Sequence, residues 1–568
     1  MAPPWPHTRI REAVWKNNFF STVRRLTIWN VVVVVAIIVH GATTTIDRSV
    51  KRSRHRCLLL SLPLSLAVVR GTAALSPSSC LLLPIIISSP PPSSSSSSLL
   101  FPYECARLDV AEIQPLPIQL QTNKVSGCSS SSEMATDKLD IVVYGATGFT
   151  GAYVARTLAE HKLLKGVSWG VAGRSEEKLR KVLNDISKEV GVDLSKTPII
   201  IADTSKPDSL AAMARRARVV LNAVGPYRLH GPPVVKAAVE NGANYVDISG
   251  EPAFLESTAL EWGEKAREKG VFVIGACGWD SIPCDLGVAH LKRNFNGDLN
   301  HVESFVQVKQ GEAGYSFNAG TYQSLILGIA GQETDRLGTI RRGLMPTKLP
   351  KGPFRPQKKQ FFSISSPYLD GWALPFMGSD KSVVQRSEYY NYTVNNERPV
   401  LLETYVRISS LFWASLLVIW VMIFAPLAKF APTRRFLQNH PDLCSFNMFK
   451  SGPTREQMEQ ASFAYWFFGY GWPEKLSSPD EQHQSKPTKK VVTVCEGPDA
   501  GYIATSGCVL AAALTLLRNR DQLPKEAGSH TTASAFANSD IYKHLEGFGV
   551  RFRVVDEKSE ASSSNPRL

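Results

Sequence analysis

Between residues 141 and 276, apolar and polar residues follow two patterns along the chain. Short apolar runs at 141–144, 168–173, 197–202, 218–224, 244–248 and 271–276 predict strands, and between most of them apolar residues recur at helical spacing. Strands and helices in turn predict a parallel sheet. Ligands of such sheets lie beyond the carboxyl ends of the strands, so the residues directly after each run are the candidate site residues.

The first strand runs into three glycines and then into an amphipathic helix whose apolar face holds Val154, Ala155 and Leu158. A phosphate needs backbone N–H groups at close range and the positive end of a helix, which residues without a Cβ allow. We therefore expect the loop to bind a dinucleotide pyrophosphate; the alternative is a tight strand-to-helix turn without a ligand. The loop residues are Gly145, Ala146, Thr147, Gly148, Phe149, Thr150 and Gly151.

Arg174 and Ser175 follow the second strand, where a carboxylate would hold a ribose 2′-hydroxyl and an arginine a 2′-phosphate. A guanidinium can bind phosphate through two parallel hydrogen bonds, and Ser175 can also cap the next helix. The sequence thus favours NADP over NAD as the cofactor. An exposed arginine without a ligand is the alternative.

Further candidates follow the later strands, and their loops are expected to converge on one crevice. Asp203 follows the third strand, and Gly225, Pro226 and Tyr227 follow the fourth. Ser249 and Glu251 are expected to hydrogen-bond the nicotinamide end. Alternatively, Asp203 caps a helix and Tyr227 fills the rim.

No catalytic residue is assigned. The chain shows no Tyr-x-x-x-Lys pair, no nucleophile with a base at fixed spacing and no metal cluster, so the proton donor is unidentified and no metal is expected. Asp280, His230 and Tyr227 are candidates only. Asp280 has helix capping as its alternative role.

Several longer motifs resemble the saccharopine dehydrogenase-like oxidoreductases, which carry a saccharopine dehydrogenase NADP-binding domain. They are VVYGATGFTG from Val142, VAGRSEEKL from Val171, VLNAVGPY from Val220, YVDISGE from Tyr245, CGWDSIPCDLG from Cys277, GTYQSL from Gly320, EGPDAGYIATSGCVLAAALTLL from Glu496 and ASAFANSDIYKHLEGFGVRFRVV from Ala533. The resemblance covers nearly everything from Met134 onward. It implies that Gly145, Gly148 and Gly151 are the phosphate loop and that Arg174 is the NADP position, and it transfers no catalytic residue.

The rest of the chain predicts a second domain. Apolar and polar residues alternate at 304–309 and 382–389, prolines interrupt 346–356, and 547–555 predicts a closing strand. The fold class expected is α/β: a Rossmann-type doubly wound parallel sheet, a second α+β domain and an inserted hydrophobic membrane-associating segment. The expected bounds are an N-terminal extension at 1–133, an NADP-binding domain at 134–290, a substrate domain at 291–404, a membrane segment at 405–435 and a returning C-terminal part at 436–568.

Residues 408–428 form an uncharged apolar segment that is long enough to span a bilayer, and Lys429, Arg434 and Arg435 follow it. A buried core helix is one alternative and a single span another. A span would place the returning C-terminal part across the membrane from the domain it completes. Monotopic attachment is therefore preferred.

The net charge of +14 is divided unevenly, because residues 1–133 hold thirteen Lys and Arg against six Asp and Glu, or +7. Nothing resembles a nucleic-acid motif. Nine cysteines without C-x-x-C spacing suggest a reducing compartment. The serine-rich segment 1–133 is read as a transit peptide, as membrane anchors, or as a gene-model artefact that precedes a true start at Met134.

Together these features predict a membrane-associated NADP(H) oxidoreductase that transfers hydride to or from a small-molecule or lipid-related substrate. The resemblance adds that animal relatives are similar to lipid-droplet or organelle-membrane proteins and bacterial relatives to trans-acting enoyl reductases. The location expected is a lipid droplet or organelle membrane facing the cytosol, with the mitochondrion as alternative; a homodimer is left open. A catalytically silent nucleotide-binding scaffold is the alternative function.

Overall fold

The computed structural model describes residues 138–559, with side chains up to 556. The interpretations of 1–133 lie outside the described residues. The strands, numbered along the chain, are β1 (Leu139–Tyr144), β2 (Trp169–Gly173), β3 (Ile199–Ile201), β4 (Ala217–Asn222), β5 (Asn244–Asp247), β6 (Phe272–Ile274), β7 (Asp298–Lys309), β8 (Phe317–Asn318), β9 (Phe362–Ser365), β10 (Asp370–Pro375), β11 (Leu401–Ile408), β12 (Phe449–Lys450), β13 (Ser462–Trp472), β14 (Lys489–Pro498), β15 (Gly528–His530) and β16 (Arg551–Ser559).

The α-helices of the same region are α1 (Phe149–Glu160), α2 (Glu176–Val190), α3 (Pro207–Arg215), α4 (Tyr227–Glu240), α5 (Pro252–Glu268), α6 (Ile282–Arg293), α7 (Ala319–Gly331), α8 (Leu337–Leu344), α9 (Asp380–Asn395), α10 (Leu411–Lys429), α11 (Ala431–Asn439), α12 (Pro441–Cys444), α13 (Arg455–Gln460), α14 (Thr505–Arg518), α15 (Thr532–Phe536) and α16 (Ile541–Gly547).

The first sheet has seven parallel strands in the order β15-β6-β5-β4-β1-β2-β3. Chain order reverses between β1 and β4, and this switch point is where doubly wound sheets bind ligands. Ile141, Val142 and Val143 are fully buried because helices cover both faces, which explains why 141–144 is a continuous apolar run. The parallel Rossmann-type sheet is therefore confirmed.

The second sheet has the order β16-β14-β13-β7-β11-β10-β9 and is antiparallel except where β7 pairs with β11. The predicted closing strand is confirmed as β16. Helix α6 joins the two sheets: a Cβ at Gly287 would overlap the ring of Phe467 on β13, so helix and strand pack closely. The C-terminal part contributes β15 to the first sheet and β13, β14 and β16 to the second, while the domain bounds given above stay predictions.

The two stretches of apolar–polar alternation in the second domain form different elements. Residues 304–309 lie in β7, but 382–389 lie in α9, where Val383, Val384, Ser387 and Glu388 are buried. Those four positions follow the i, i+1, i+4, i+5 spacing of a helix face. The helix packs between α6 and β11, so its inward face includes polar residues that hid the period of 3.6.

Helix α7 begins at Ala319, and Asn318 caps it by accepting the N–H of Gly320 at 2.8 Å. The predicted apolar segment forms α10, which Ser410 caps through the N–H of Trp413 at 3.3 Å. The two helices pack together, with the rings of Tyr322 and Phe424 5.5 Å apart.

Candidate functional site

The loop between β1 and α1 has the geometry that binds a phosphate. Gly145 has φ +94° and donates its N–H to the Ala172 carbonyl at 2.9 Å, while the N–H of Gly148 turns back to the Gly145 carbonyl. Gly148 is the N-cap residue of α1 and supplies no side chain, and the first turn of α1 carries no acid. The N–H groups at the start of α1 and its dipole are thus left for an anion.

Each of the three glycines has its own reason to lack a Cβ. A Cβ at Gly151 would overlap the Gly145 carbonyl oxygen, and one at Gly145 would lie 2.6 Å from Val224 Cγ2. At Gly148 a Cβ would meet only the Gly145 oxygen, at 3.3 Å, and Gly148 is exposed. Gly145 and Gly151 therefore close the turn, whereas Gly148 leaves the approach to a pyrophosphate open, so the loop fits a dinucleotide.

The remaining loop residues divide by exposure. Thr147 is exposed, Thr150 is half-buried and Ala146 is buried under the loop. Phe149 packs edge-on against Tyr502 with ring centroids 4.6 Å apart, and a Cβ at Gly452 would lie 2.7 Å from the Phe149 ring. Phe149 thus joins the loop to the part of the chain that follows α10.

The sequence analysis did not identify the residues from the part of the chain after α10 that pack near the loop between β1 and α1. Tyr502 accepts the backbone N–H of Asn318 at 2.8 Å, and Asp499 accepts the N–H groups of Gly501, Tyr502 and Ile503. The hydroxyl of Tyr315 donates to Asp499. The available signal was the Asp-Ala-Gly-Tyr turn directly after β14, which precedes an apolar helix.

Arg174 lies at the end of β2, and its side chain is exposed. Within residues 138–559 the guanidinium makes no hydrogen bond and no ion pair, so it is available to a phosphate. Ser175 caps α2 as predicted, by accepting the N–H of Lys178 at 3.3 Å.

Asp203 faces the same end of the sheet, but its own turn uses the carboxylate. Oδ1 accepts the backbone N–H and the hydroxyl of Ser205, both at 2.9 Å. These two bonds lower the pKa of Asp203, and Arg174 contributes a smaller effect of the same sign. Asp203 thus orders its own turn after β3.

The loop after β4 presents Gly225 to solvent, with Pro226 half-buried. Tyr227, in contrast, is turned inward: its hydroxyl donates to the Asn222 carbonyl at 2.9 Å. Burial raises the pKa of Tyr227 well above its ordinary value. The phenol therefore supports the loop from below and is poorly placed to deliver a proton.

Ser249 and Glu251 were expected at the nicotinamide, and the structure gives them another role. Ser249 is fully buried, and its hydroxyl accepts the N–H of Glu251 at 3.2 Å. Glu251 accepts the N–H groups of Tyr227 at 2.8 Å and Arg228 at 3.1 Å, and the hydroxyl of Ser324 at 3.0 Å. Its oxygens are filled by these donors, so it ties the loops together.

The other two candidates for proton transfer differ in their surroundings. His230 is half-buried in the first turn of α4, and no partner within the described residues orients its imidazole. Asp280 follows β6 and lies against Gly250 after β5, at the carboxyl edge of the sheet. Burial raises the pKa of Asp280 to about 6.

The described cysteines are free thiols, and all five are buried. Burial raises the pKa of Cys277 well above its ordinary value, with nearby Asp247 adding to the effect, so the thiolate is disfavoured. Cys277 and Cys284 belong to the apolar core beside the crevice.

Two helices of the described region are long and apolar enough to cross a membrane, Leu411–Lys429 and Ala500–Arg518. The second is 83% buried and is a core helix, whereas the first is only 17% buried. The core-helix alternative for 408–428 is therefore wrong. Large apolar side chains exposed on or beside α10 are Leu411, Phe412, Trp413, Ile419, Val421, Met422, Ile423 and Phe430.

Comparisons with known proteins agree with this geometry. Residues 141–274 match the family model of the saccharopine dehydrogenase NADP binding domain. The "Lipid droplet localized protein" of Caenorhabditis elegans is 55% identical over 422 residues, which are 74% of this chain and 99% of that protein. The human "Saccharopine dehydrogenase-like oxidoreductase" is 40% identical, again over 74% of this chain and 99% of the relative.

A plant relative carries a different location in its name. The "Probable mitochondrial saccharopine dehydrogenase-like oxidoreductase" of Arabidopsis thaliana is 30% identical over 74% of this chain and 96% of its own length.

Proposed function

The chain belongs to the saccharopine dehydrogenase-like oxidoreductases and carries their NADP-binding domain, and we propose that it transfers hydride between NADP(H) and a lipid-related substrate at a lipid-droplet surface. The proposal is supported mainly by the contacts that lead from α10 through α7 to Glu251. Helix α10 packs on α7, and Ser324 of α7 donates to Glu251 in the cofactor crevice. A single helix thus connects the exposed apolar surface to the site.

The cofactor would be held by hydrogen-bond donors at its phosphates and by the loop after β4 at its nicotinamide end. Gly148 and the first N–H groups of α1 take the pyrophosphate, and Arg174 takes the 2′-phosphate. Gly225 and Pro226 border the crevice toward the nicotinamide. When bound, NADP(H) supplies or accepts the hydride, and the protein binds, orients and shields the reacting groups.

The topology supports monotopic attachment through α10. Strand β11 enters α10, and the chain after it returns to the same sheet as β13. Both flanks of α10 therefore lie on one side of any membrane. A helix of 19 residues is about 28 Å long, and lying in the plane it would bury its apolar face among acyl chains.

Basic residues border this face and suit anionic headgroups. Arg435 is exposed, and Lys429 forms an exposed ion pair with Glu333 at 2.9 Å. A lipid droplet is coated by one phospholipid leaflet, which can accept an in-plane helix but offers no second aqueous side for a span. The name of the worm relative agrees with a droplet, and that of the plant relative supports the mitochondrial alternative.

One observation favours a scaffold without turnover as the second candidate. The phenol of Tyr227, a sequence-based candidate for the proton donor, is buried and donates to the Asn222 carbonyl. A protein that kept the nucleotide fold but lacked a proton donor would bind NADP(H) without reducing anything.

The direct test is titration of the full chain with NADPH and NADH, for the native protein and Arg174→Ala. Losing a charge-assisted contact costs about 1.5–3 kcal/mol, roughly a ten- to hundredfold weaker binding, and only for NADPH. Arg180→Ala is the matched control, since Arg180 lies on α2 and pairs with Glu176 at 3.3 Å. A folded protein that binds neither nucleotide would exclude the oxidoreductase.

A further inference from the structure

Two carboxyl groups meet where the two sheets face each other. Asp280 follows β6 in the first sheet, and Asp380 is the first residue of α9, which packs against the second. The hydroxyls of Ser281 and Ser379, the residues next to them in the chain, hydrogen-bond each other at 2.8 Å, and a Cβ at Gly378 would lie 2.7 Å from Asp280 Oδ1, so the two carboxyls are neighbours. The sequence places them 100 positions apart and gives no sign of the pairing.

Among the four oxygens of the pair, one accepts a hydrogen bond from a neighbouring side chain and two are buried without a donor. Asp380 is 1% exposed, and its Oδ2 accepts the hydroxyl of Tyr465 at 2.6 Å. Asp380 Oδ1 and Asp280 Oδ1 are buried and receive no donor from the described residues. Two ionised carboxylates this close would repel each other, which favours a form of the pair that keeps one proton.

Neutral groups surround the pair. Tyr465 on β13 donates its hydroxyl to Asp380, Cys284 on α6 lies near Asp380, and the hydroxyls of Ser281 and Ser379 bond each other beside the pair. No Lys, Arg or His within 138–559 forms an ion pair with either carboxyl, so no cation drives the proton away. Burial accordingly raises the pKa of Asp380 well above its ordinary value, with Asp280 adding to the effect.

The position of Asp280 links the pair to the cofactor crevice. A Cβ at Gly250 would overlap Asp280 Oδ2, so that carboxyl lies directly against the loop after β5. The next residue of that loop is Glu251, which holds Tyr227 and the loop after β4. Asp280 is also the more exposed of the two carboxyls, while Asp380 is enclosed.

We propose that Asp280 is the catalytic acid and base of the reaction and that Asp380 is the positioning residue that keeps a proton on the pair. In the direction of reduction, the substrate carbon accepts hydride from NADPH, and the π electrons of its C=O or C=N bond move to the heteroatom. The heteroatom takes the shared proton from Asp280. NADP⁺ and a doubly ionised pair remain until water reprotonates the pair through Asp280.

This inference rests on the proposed function, and nucleotide-linked proton release tests it without turnover. The nicotinamide ring of NADP⁺ carries a positive charge that NADPH lacks. If the pair lies beside the ring, NADP⁺ binding favours its ionised form and releases up to one proton more than NADPH binding does. Any proton release caused by the 2′-phosphate is the same for both nucleotides, so it cancels in the difference between them.

The measurement uses a pH indicator and the lightly buffered full chain near pH 6 to 7. We expect the excess proton release with NADP⁺ to be lost in Asp280→Asn and Asp380→Asn, with NADPH affinity unchanged within about twofold. Asp285→Asn is the matched control: Asp285 is buried, has its pKa raised to about 6 by burial, and bonds to Ser387 and Thr532 away from the crevice. That variant should release protons as the native protein does.

Infrared spectroscopy of the same samples gives a second readout. The infrared band of the protonated carboxyl is assigned by its loss in Asp380→Asn, and in the native protein it should persist at neutral pH. In Tyr465→Phe the band should persist to higher pH, because the variant lacks the hydroxyl that donates to the ionised carboxylate. Equal proton release by the two nucleotides, or absence of the band, would overturn the inference while leaving NADPH binding intact. Failure of both nucleotides to bind would overturn the proposed function as well.

Discussion

Glu251 holds Tyr227: its Oε1 accepts the Tyr227 backbone N–H at 2.8 Å, and the glutamate side chain is 5% exposed. The same carboxylate pairs with Arg228, whose guanidinium continues to Asp335 at 3.1 Å. An acid after β5 thus orders the loop after β4 and joins it to the segment after α7. Glu251 therefore ties the loop after β4 to α7 and the segment that follows it.

Replacing Glu251 by Ala should therefore loosen the loop and weaken nucleotide binding. Breaking a buried ion pair costs about 3–5 kcal/mol of stability, and we expect NADPH affinity to fall at least tenfold in the fraction that remains folded. Glu256→Ala is the control, because Glu256 is equally buried but binds Arg341 at 2.8 Å on the outer side of α5. Equal affinities for the two variants in calorimetric titration would contradict the role of Glu251.

Gly151→Ala should abolish NADPH binding through sterics alone. Its Cβ would overlap the Gly145 carbonyl, so the turn must shift, at a cost of about 1–3 kcal/mol. Gly328→Ala is the matched control: it lies inside α7 with no atom near the added Cβ, and it should raise stability by about 0.5–1 kcal/mol. Thermal melting and NADPH titration of both variants check the prediction, which native-like binding by Gly151→Ala would refute.

Replacing Trp413, Ile419 and Met422 of α10 by Ser should detach the protein from lipid. The three side chains are 55%, 49% and 68% exposed, and their loss should cost about 4 kcal/mol of membrane partitioning, roughly a thousandfold. Flotation with phospholipid-coated triacylglycerol droplets measures it.

A triple Ser variant of Val192, Leu260 and Val394 is the control, since these apolar side chains are also exposed but lie away from α10. It should float like the native protein. Equal loss in both triple variants would mean that general surface hydrophobicity, and not α10, drives attachment.

The free energy of unfolding should depend on pH through the titration of Asp247. Burial raises its pKa from 3.8 to about 6, so the folded state holds the proton after the unfolded chain has released it. A raised folded-state pKa contributes stability below about pH 4 that is lost as the pH rises through about 6.

Asp247→Asn removes this loss, so its stability relative to the native protein should improve by about 2–3 kcal/mol between pH 4 and 7 in urea unfolding. Asp203→Asn should show the opposite trend, because Ser205 lowers the pKa of Asp203. A flat difference for Asp247→Asn would show that its carboxyl is ionised in the folded state.

Much of the first sheet could be predicted because its signals are short-range. Strand β1, the turn at Gly145 and the cap at Ser175 each depend on residues within a few positions, where backbone sterics and one hydrogen bond decide the conformation. The apolar run of β1 shows burial on both faces, and the glycines show where a backbone must approach closely.

Residues 382–389 show where this reasoning ends. Apolar and polar residues alternate there, yet α6 and β11 bury Ser387 and Glu388 together with Val383 and Val384. Polar residues enter the core there because Asp285 and Lys292 supply partners, with Ser387 donating to Asp285 at 2.7 Å. No local pattern reveals partners that lie 96 to 102 positions away.

The sequence alone determined the glycine turn between β1 and α1, the arginine directly after β2 and the presence of an apolar segment at 408–428. Only the tertiary structure decided that this segment lies exposed while 500–518, also apolar and of equal length, is buried. It also decided that Glu251 binds protein N–H groups and that Asp280 meets Asp380. Local sterics and periodicity depend on residues that are close in sequence, whereas exposure and the pairing of buried charges depend on which distant parts of the chain pack together.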